Sequence, residues 1–83
     1  MRAAFRLHLY SWIETDPRIA LRIMRLIEDI LRDPYSGIGK PEPLRHTAGG
    51  AWSRRITEEH RMIYEVNPAG VVFAVARGHY DSR

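Results

Sequence analysis

Residues 51–77 read AWSRRITEEHRMIYEVNPAGVVFAVAR, and their punctuation decides the fold. Runs rich in Val, Ile, Tyr, Phe and Trp at 51–56, 61–66 and 71–77 have the length and composition of strands. Thr57-Glu58-Glu59-His60 forms a polar four-residue link. Asn67-Pro68-Ala69-Gly70 places Pro and Gly where a type I turn accepts them, so the three runs read as an antiparallel meander. If Ile56 opposes Arg61 across the first link, Trp52, Arg54, Ile56, Arg61, Ile63 and Glu65 share one face. Arg55, Met62, Tyr64 and Val66 then share the other, which is the better core. On that alternation His79 falls with Phe73 and Val75 and away from Arg61. The chain must therefore bend, bulge or leave the sheet after Arg77, and Gly78 permits this.

Upstream the period changes from two to 3.6. At 17–32, Ile19, Ile23, Leu26, Ile27 and Ile30 form one stripe, with Arg18, Arg22, Arg25, Glu28, Asp29 and Arg32 largely elsewhere. Thr15 or Asp16 is placed to cap this helix, and Pro17 suits its first turn. At 3–14, Leu7, Tyr10 and Ile13 recur at helical spacing beside Phe5, Leu9 and Trp12. Asp33-Pro34 ends the second helix, and 35–50, with four Gly and two Pro, reads as a long aperiodic loop of the kind that often carries function. Two helices followed by a small antiparallel sheet make an α+β sandwich. The 83 residues allow one domain, 1–83.

With 45% hydrophobic and 28% charged residues the composition is globular. Twelve arginines stand against the single Lys40, and the formal net charge is +3. Guanidinium matches phosphate with a planar fork of donors, so the bias points towards a phosphate-bearing partner, although a compositional bias alone would also replace Lys with Arg. The absence of Cys excludes a disulfide framework and thiolate chemistry and fits a reducing cytoplasm. The apolar run at 1–10 is short and broken by Arg6 and His8, unlike a signal peptide, and no stretch has the length of a membrane span.

Polar chemistry concentrates at 40–61 and 77–80. Lys40, Arg45, His46, Arg54, Arg55, His60 and Arg61 supply phosphate ligands around Trp52, a composition suited to RNA. Glu42 is fixed between Pro41 and Pro43, next to Lys40 and Arg45, as a general base tuned by cations would be. His79-Tyr80 offers a titratable imidazole beside a phenol. The four His residues show no metal-ligand spacing, and GxSxG and P-loop patterns are absent. A metal-free acid–base mechanism on a phosphate needs a base, an acid and a cation, and Glu42, His79 and Arg61 are the available types.

Three blocks then carry a resemblance: IGKPEPLRH at 38–46, AWSRRITEEHRMIY at 51–64 and ARGHY at 76–80, with Trp12 and ETDPR at 14–18. In this order they closely resemble the YoeB/Txe family of bacterial toxins within the RelE superfamily, from about Trp12 to Tyr80. The resemblance implies a fold like the microbial ribonucleases and a toxin of a type II toxin–antitoxin system. Such a toxin is an endoribonuclease (mRNA interferase) that enters the A site of the 70S ribosome, cuts mRNA without a metal or other cofactor, and is neutralised by a YefM/Phd-like antitoxin. Members are often homodimers.

By motif, Glu42 is the expected base on the ribose 2′-hydroxyl and Arg61 the cation on the phosphate. His79 is the expected acid for the leaving 5′-oxygen, Tyr80 orients the substrate, and Lys40, Arg45, Arg54 and Arg55 contact RNA backbone. The sequence departs from the family at 1–11, where the usual first strand is not evident and an exposed sheet edge would follow. It departs also at Gly78, where the family has a larger residue, and in Asp81-Ser82-Arg83 beyond the His-Tyr pair, where Asp81 would favour imidazolium at His79. These departures frame the alternative of a catalytically weakened module that binds antitoxin or ribosome without cleaving.

Overall fold

The computed structural model describes residues 1–45 and 49–79, and two helices precede the sheet, as the change of period requires. Helix α1 (Ala3–Thr15) and helix α2 (Pro17–Arg32) are followed by β1 (Glu42–Pro43), β2 (Ala51–Arg55), β3 (Arg61–Asn67) and β4 (Gly70–Val75). The strands form one antiparallel sheet in the order β1-β2-β3-β4. The expected α+β architecture is present, with one strand more than the three read from periodicity.

Helix α2 buries Ile23, Leu26, Ile27 and Ile30 of the expected stripe, while Ile19 is half-buried against the same core and Ala20, outside the stripe, is buried with them. Its start differs from the expected side-chain cap. Pro17 occupies the first turn, but the Asp16 side chain makes no capping hydrogen bond, and the Thr15 hydroxyl donates back to the Ser11 carbonyl at 2.8 Å. The Asp16 carbonyl instead accepts the N–H groups of Ile19 and Ala20. On α1 the buried pair is Phe5 and Trp12, seven residues apart, whereas Leu7, Tyr10 and Ile13 are at least half exposed. A helix apolar on several sides leaves periodicity alone unable to say which side packs. Phe5 meets Phe73 at a ring distance of 5.5 Å, and the Trp12 indole donates to the Ala76 carbonyl at 2.8 Å, which fixes α1 against β4. Among the described residues no strand precedes α1. The Arg2 N–H bonds to the Phe73 carbonyl at 2.9 Å, so the residue before the helix touches the β4 edge by one backbone hydrogen bond.

The β2–β3 register is one residue away from the expected one. Arg55 opposes Arg61, Arg54 opposes Met62, and Trp52 opposes Tyr64. The Ile56 and Thr57 N–H groups both bond to the His60 carbonyl, which draws Ile56 into the link and out of the ladder. A one-residue slip exchanges faces. Trp52, Arg54, Met62, Tyr64 and Val66 therefore lie on the helix side, while Ser53, Arg55, Arg61, Ile63 and Glu65 lie on the open side.

Two features of the flanking segments complete the site's frame. The supposedly aperiodic loop contributes β1, whose Glu42 opposes Ser53 and whose Pro43 opposes Trp52. Pro43 is tolerated there because β1 is an edge strand. Gly39 brings the loop onto β2: its carbonyl accepts the Arg55 N–H at 2.6 Å, and a Cβ at this position would lie 2.9 Å from Leu26 Cδ2. On the other edge the expected irregularity occurs, but earlier than after Arg77. Ile63 opposes Val75 while Tyr64 opposes Phe73, so Ala74 is the bulged residue, and Gly78 then adopts a φ of 104°.

Candidate active site

The pleat of β2 separates two arginines that adjoin in sequence, and this corrects the expectation for Arg54. Its side chain is completely buried, and all five N–H donors are satisfied within the protein. Nη1 donates to Asp29 Oδ2 at 2.5 Å and to the Ile38 carbonyl at 3.0 Å. Nη2 donates to the carbonyls of Asp33 at 2.7 Å and Ser36 at 3.1 Å, and Nε to the Tyr64 hydroxyl at 3.2 Å. The Tyr64 hydroxyl donates onward to the Pro34 carbonyl at 2.6 Å. The Arg54 hydrogen bond, with the Ile38 N–H behind it, holds the Asp29 carboxyl down to about 2, and burial pushes the Tyr64 phenol up. Arg54 thus has no donor left for an RNA phosphate. It ties the segment leading to Lys40 and Glu42 onto α2 and β2.

The open face assembles the residues expected to carry chemistry. Ladder pairing aligns Glu42, Ser53, Ile63 and Val75 across four strands, with Arg55 and Arg61 opposed in the adjoining region. Arg61 is anchored by Nε, which donates to Ser53 Oγ at 3.1 Å. Its Nη2 lies 3.5 Å from the Lys40 carbonyl and 4.0 Å from Glu42 Oε1. Glu42, about half exposed, therefore faces a guanidinium that is held in place but not consumed. Lys40 is exposed and adopts a φ of 52°, the left-handed region a non-glycine residue rarely occupies, immediately before Pro41. Arg45 is exposed and Arg55 half-buried.

The segment carrying His79 runs beside the start of β3, because the Gly78 carbonyl accepts the Arg61 N–H at 2.8 Å. His79 itself is exposed. Tyr80, His46 and Asp81-Ser82-Arg83 lie outside the described residues.

The sequence does not single out Ser53, and it assigns His60 and Trp52 to other roles. Ser53 orients Arg61, and only the correct register reveals it. His60, taken for a phosphate ligand, accepts the Gly78 N–H on Nδ1 at 3.1 Å and stands edge-on to Trp12 at 4.9 Å. Trp52 packs against Tyr35 at 5.2 Å on the helix side and is no open stacking platform. Among the described residues no group of three or more His, Cys, Asp or Glu is placed to hold a metal ion, and no helix is long and apolar enough to cross a membrane. A shallow depression lined by Arg25, Glu28, Asp29, Arg32 and Ile38 lies away from Glu42 and Arg61.

Comparison with known proteins gives the family and the fold. Residues 4–80 match the family described as the YoeB-like toxin of bacterial type II toxin–antitoxin systems. Toxin YoeB of Escherichia coli K12 is 53% identical, over 88% of this chain and 86% of that protein. Toxin YoeB of Streptomyces coelicolor is 45% identical, over 96% of this chain and 100% of that protein. Among solved structures, the YoeB/ParE toxin from Agrobacterium tumefaciens superposes with a TM-score of 0.88 at 40% identity, covering 95% of this chain and 94% of that one. The YoeB dimer from Staphylococcus aureus gives 0.87 at 31% identity, and the heterotetrameric YoeB–YefM complex from the same organism gives 0.84 at 31%, each covering 95% of this chain and 92% of theirs. With a family match along nearly its whole length and identities of this size, the chain belongs to the YoeB-like toxins of bacterial type II toxin–antitoxin systems.

Proposed function

We propose that this toxin is a ribosome-dependent endoribonuclease that cleaves mRNA in the ribosomal A site by acid–base catalysis. The observation that carries the reading is the pairing on one open face of Glu42 with an anchored Arg61, 4.0 Å apart, beside the backbone that delivers His79. Glu42 takes the proton of the ribose 2′-hydroxyl, and the 2′-oxygen forms a bond to phosphorus. Arg61 balances the charge that gathers on the phosphoryl oxygens. The bond from phosphorus to the 5′-oxygen breaks as His79 supplies a proton to that oxygen, leaving a 2′,3′-cyclic phosphate and a 5′-hydroxyl. Tyr80 orients the substrate. Lys40, Arg45 and Arg55 contact RNA backbone, whether of mRNA or ribosome, a set from which Arg54 drops out because its donors are spent.

The Staphylococcus aureus relatives form a dimer and a complex with YefM, and we carry both to this chain as a homodimer and a YefM-like antitoxin partner. Action on translating ribosomes places the protein in the cytoplasm. The test is primer extension on mRNA translated by purified ribosomes with and without the toxin. Cuts at A-site codons that persist in EDTA are the expected result, and intact mRNA with the wild-type protein overturns the reading. Ribosome binding without cuts would mark the catalytically weakened module instead.

A further inference from the structure

After β4 ends at Val75 the chain leaves the sheet ladder, yet its backbone is not left to water. The Ala76 N–H donates to His8 Nδ1 at 3.0 Å, and the Ala76 carbonyl accepts from the Trp12 indole at 2.8 Å. Two residues on, the Gly78 N–H donates to His60 Nδ1 at 3.1 Å, and the Gly78 carbonyl accepts the Arg61 N–H at 2.8 Å. Both backbone groups of residues 76 and 78 are thus fixed, and each N–H ends on an imidazole nitrogen. An imidazole that accepts on Nδ1 is neutral and carries its proton on Nε2. His8 suits that state, since burial, and Arg77 after it, draw its pKa down.

His60 is itself rigid. Its N–H donates to Thr57 Oγ1 at 3.1 Å, its carbonyl accepts from Ile56 and Thr57, and its ring packs on Trp12 in a T-shaped contact at 4.9 Å. Consecutive residues His60 and Arg61 therefore grip Gly78 from its donor and its acceptor side, directly before His79. Glycine accepts a backbone φ of 104° without strain, so these contacts select that conformation at Gly78 from the many open to it.

We infer that His60 is a positioning residue for His79: through the hydrogen bond to the Gly78 N–H it sets where the acid of the cleavage site stands relative to Arg61, and His8 steadies the same segment two residues upstream. The inference rests on the reading of His79 as the acid given above.

The test compares His60→Leu and His60→Asn, alone and in a His79→Ala background, by single-turnover cleavage of ribosome-bound mRNA over a range of toxin concentrations. His60→Leu is expected to lower the saturating rate about 10- to 100-fold, the size of effect a misplaced catalytic group produces, with half-saturation little changed. His60→Asn, whose amide oxygen can accept the same N–H, should stay within about 5-fold of wild type, the weight of one modest hydrogen bond. In the His79→Ala background His60→Leu should cost nothing further, since a residue acting through His79 has nothing left to position. A wild-type rate in His60→Leu, an undiminished penalty in the His79→Ala background, or an effect confined to half-saturation overturns the inference.

Imidazole nitrogen spectra of the unmodified protein guard against a variant that fails to fold. His60 with an unprotonated Nδ1 at neutral pH supports the grip on Gly78, and a protonated Nδ1 overturns it. If wild type and His79→Ala cleave equally, or neither cleaves, the acid assignment fails, and the nitrogen spectra still decide the hydrogen bond.

Discussion

The two faces of the β2–β3 hairpin each bury an arginine, with side-chain exposures of 0% for Arg54 and 10% for Arg61, but give the two guanidinium groups different partners. On the helix side Arg54 has every donor occupied by Asp29, Tyr64 and three backbone carbonyls, with no solvent exposure. On the open side Arg61 is oriented by Ser53 and stands at 3.5 Å from one carbonyl and 4.0 Å from one carboxylate. One guanidinium has been used up in making the fold; the other is fixed by one good hydrogen bond and kept within reach of a negative charge. The difference teaches that a count of arginines in a basic stretch says little until the pleat is known. In Ser53-Arg54-Arg55, Arg54 is structural, and its neighbours on either side face the site.

The largest expected effect breaks the inner arrangement. Arg54→Ala removes one partner of a buried ion pair and strands several carbonyls, which should cost about 3–5 kcal/mol in urea denaturation. A domain of this size then melts at least about 12 °C lower. Arg54→Lys should recover little, because a single ammonium cannot reach acceptors spread around a planar fork. A loss below about 1 kcal/mol would erase the distinction between the two faces.

Next in size is the reciprocal change. Arg61→Ala should lower cleavage by about 10²–10³-fold, as loss of a preorganised charge-stabilising donor does. Its cost in stability should be about 1–2 kcal/mol, mainly from leaving Ser53 Oγ without its donor. Measured together, cleavage and urea midpoints should thus rank the two arginines in opposite orders. If both variants lose stability equally and activity equally, the faces are not distinct in function.

The sequence carried part of this contrast and withheld the rest for identifiable reasons. Helix α2 was legible because its charged residues cluster on one side and most of its apolar ones on the other, where Ile23, Leu26, Ile27 and Ile30 are buried, although Leu21, Met24 and Leu31 stay exposed. In α1 the apolar residues surround the axis, and the regular Leu7, Tyr10 and Ile13 set turned out to be the exposed one. The meander was legible from its turn residues, but its register depended on whether Ile56 belonged to the strand or the link. Two backbone hydrogen bonds to the His60 carbonyl decide that, and no side-chain pattern announces them. That single residue exchanged the faces of Arg54 and Arg55. Glu42, Arg61 and His79 were legible as chemical types, whereas the contacts beside them, Ser53 on Arg61 and His60 on the Gly78 N–H, depend on register and on long-range packing.

Asp29 offers a smaller and more selective way into the inner face. Its carboxyl is held at about 2, first by Arg54 and then by the Ile38 N–H, so the folded protein binds this proton less readily than the unfolded chain. Its contribution to stability is complete above the ordinary carboxylate range near about pH 4 and is lost as pH falls towards 2. Asp29→Asn keeps an acceptor but removes the charge opposite Arg54, which should cost about 1–3 kcal/mol at neutral pH. It should also flatten the acid limb of a plot of unfolding free energy against pH. An unchanged slope between pH 4 and 2 would mean that other carboxyl groups govern that limb.

The smallest effect isolates burial from geometry. Arg2 also binds a carboxylate well: Nη2 lies 2.9 Å from both oxygens of Glu65, on the open face near the β4 edge. Both side chains are substantially exposed, at 55% and 39%, so water and salt screen the pair, and the long Arg2 side chain loses freedom in making it. Glu65→Gln should therefore change stability by only about 0.2–1 kcal/mol, and high salt should abolish the difference. Arg54→Ala should keep most of its penalty at the same salt concentration, because screening reaches buried charges poorly. Urea denaturation of both variants in low and high salt makes the comparison directly. A salt-resistant loss of several kcal/mol in Glu65→Gln would show that the open face contributes to the fold as the inner one does, and the division of labour between the two faces would have to be abandoned.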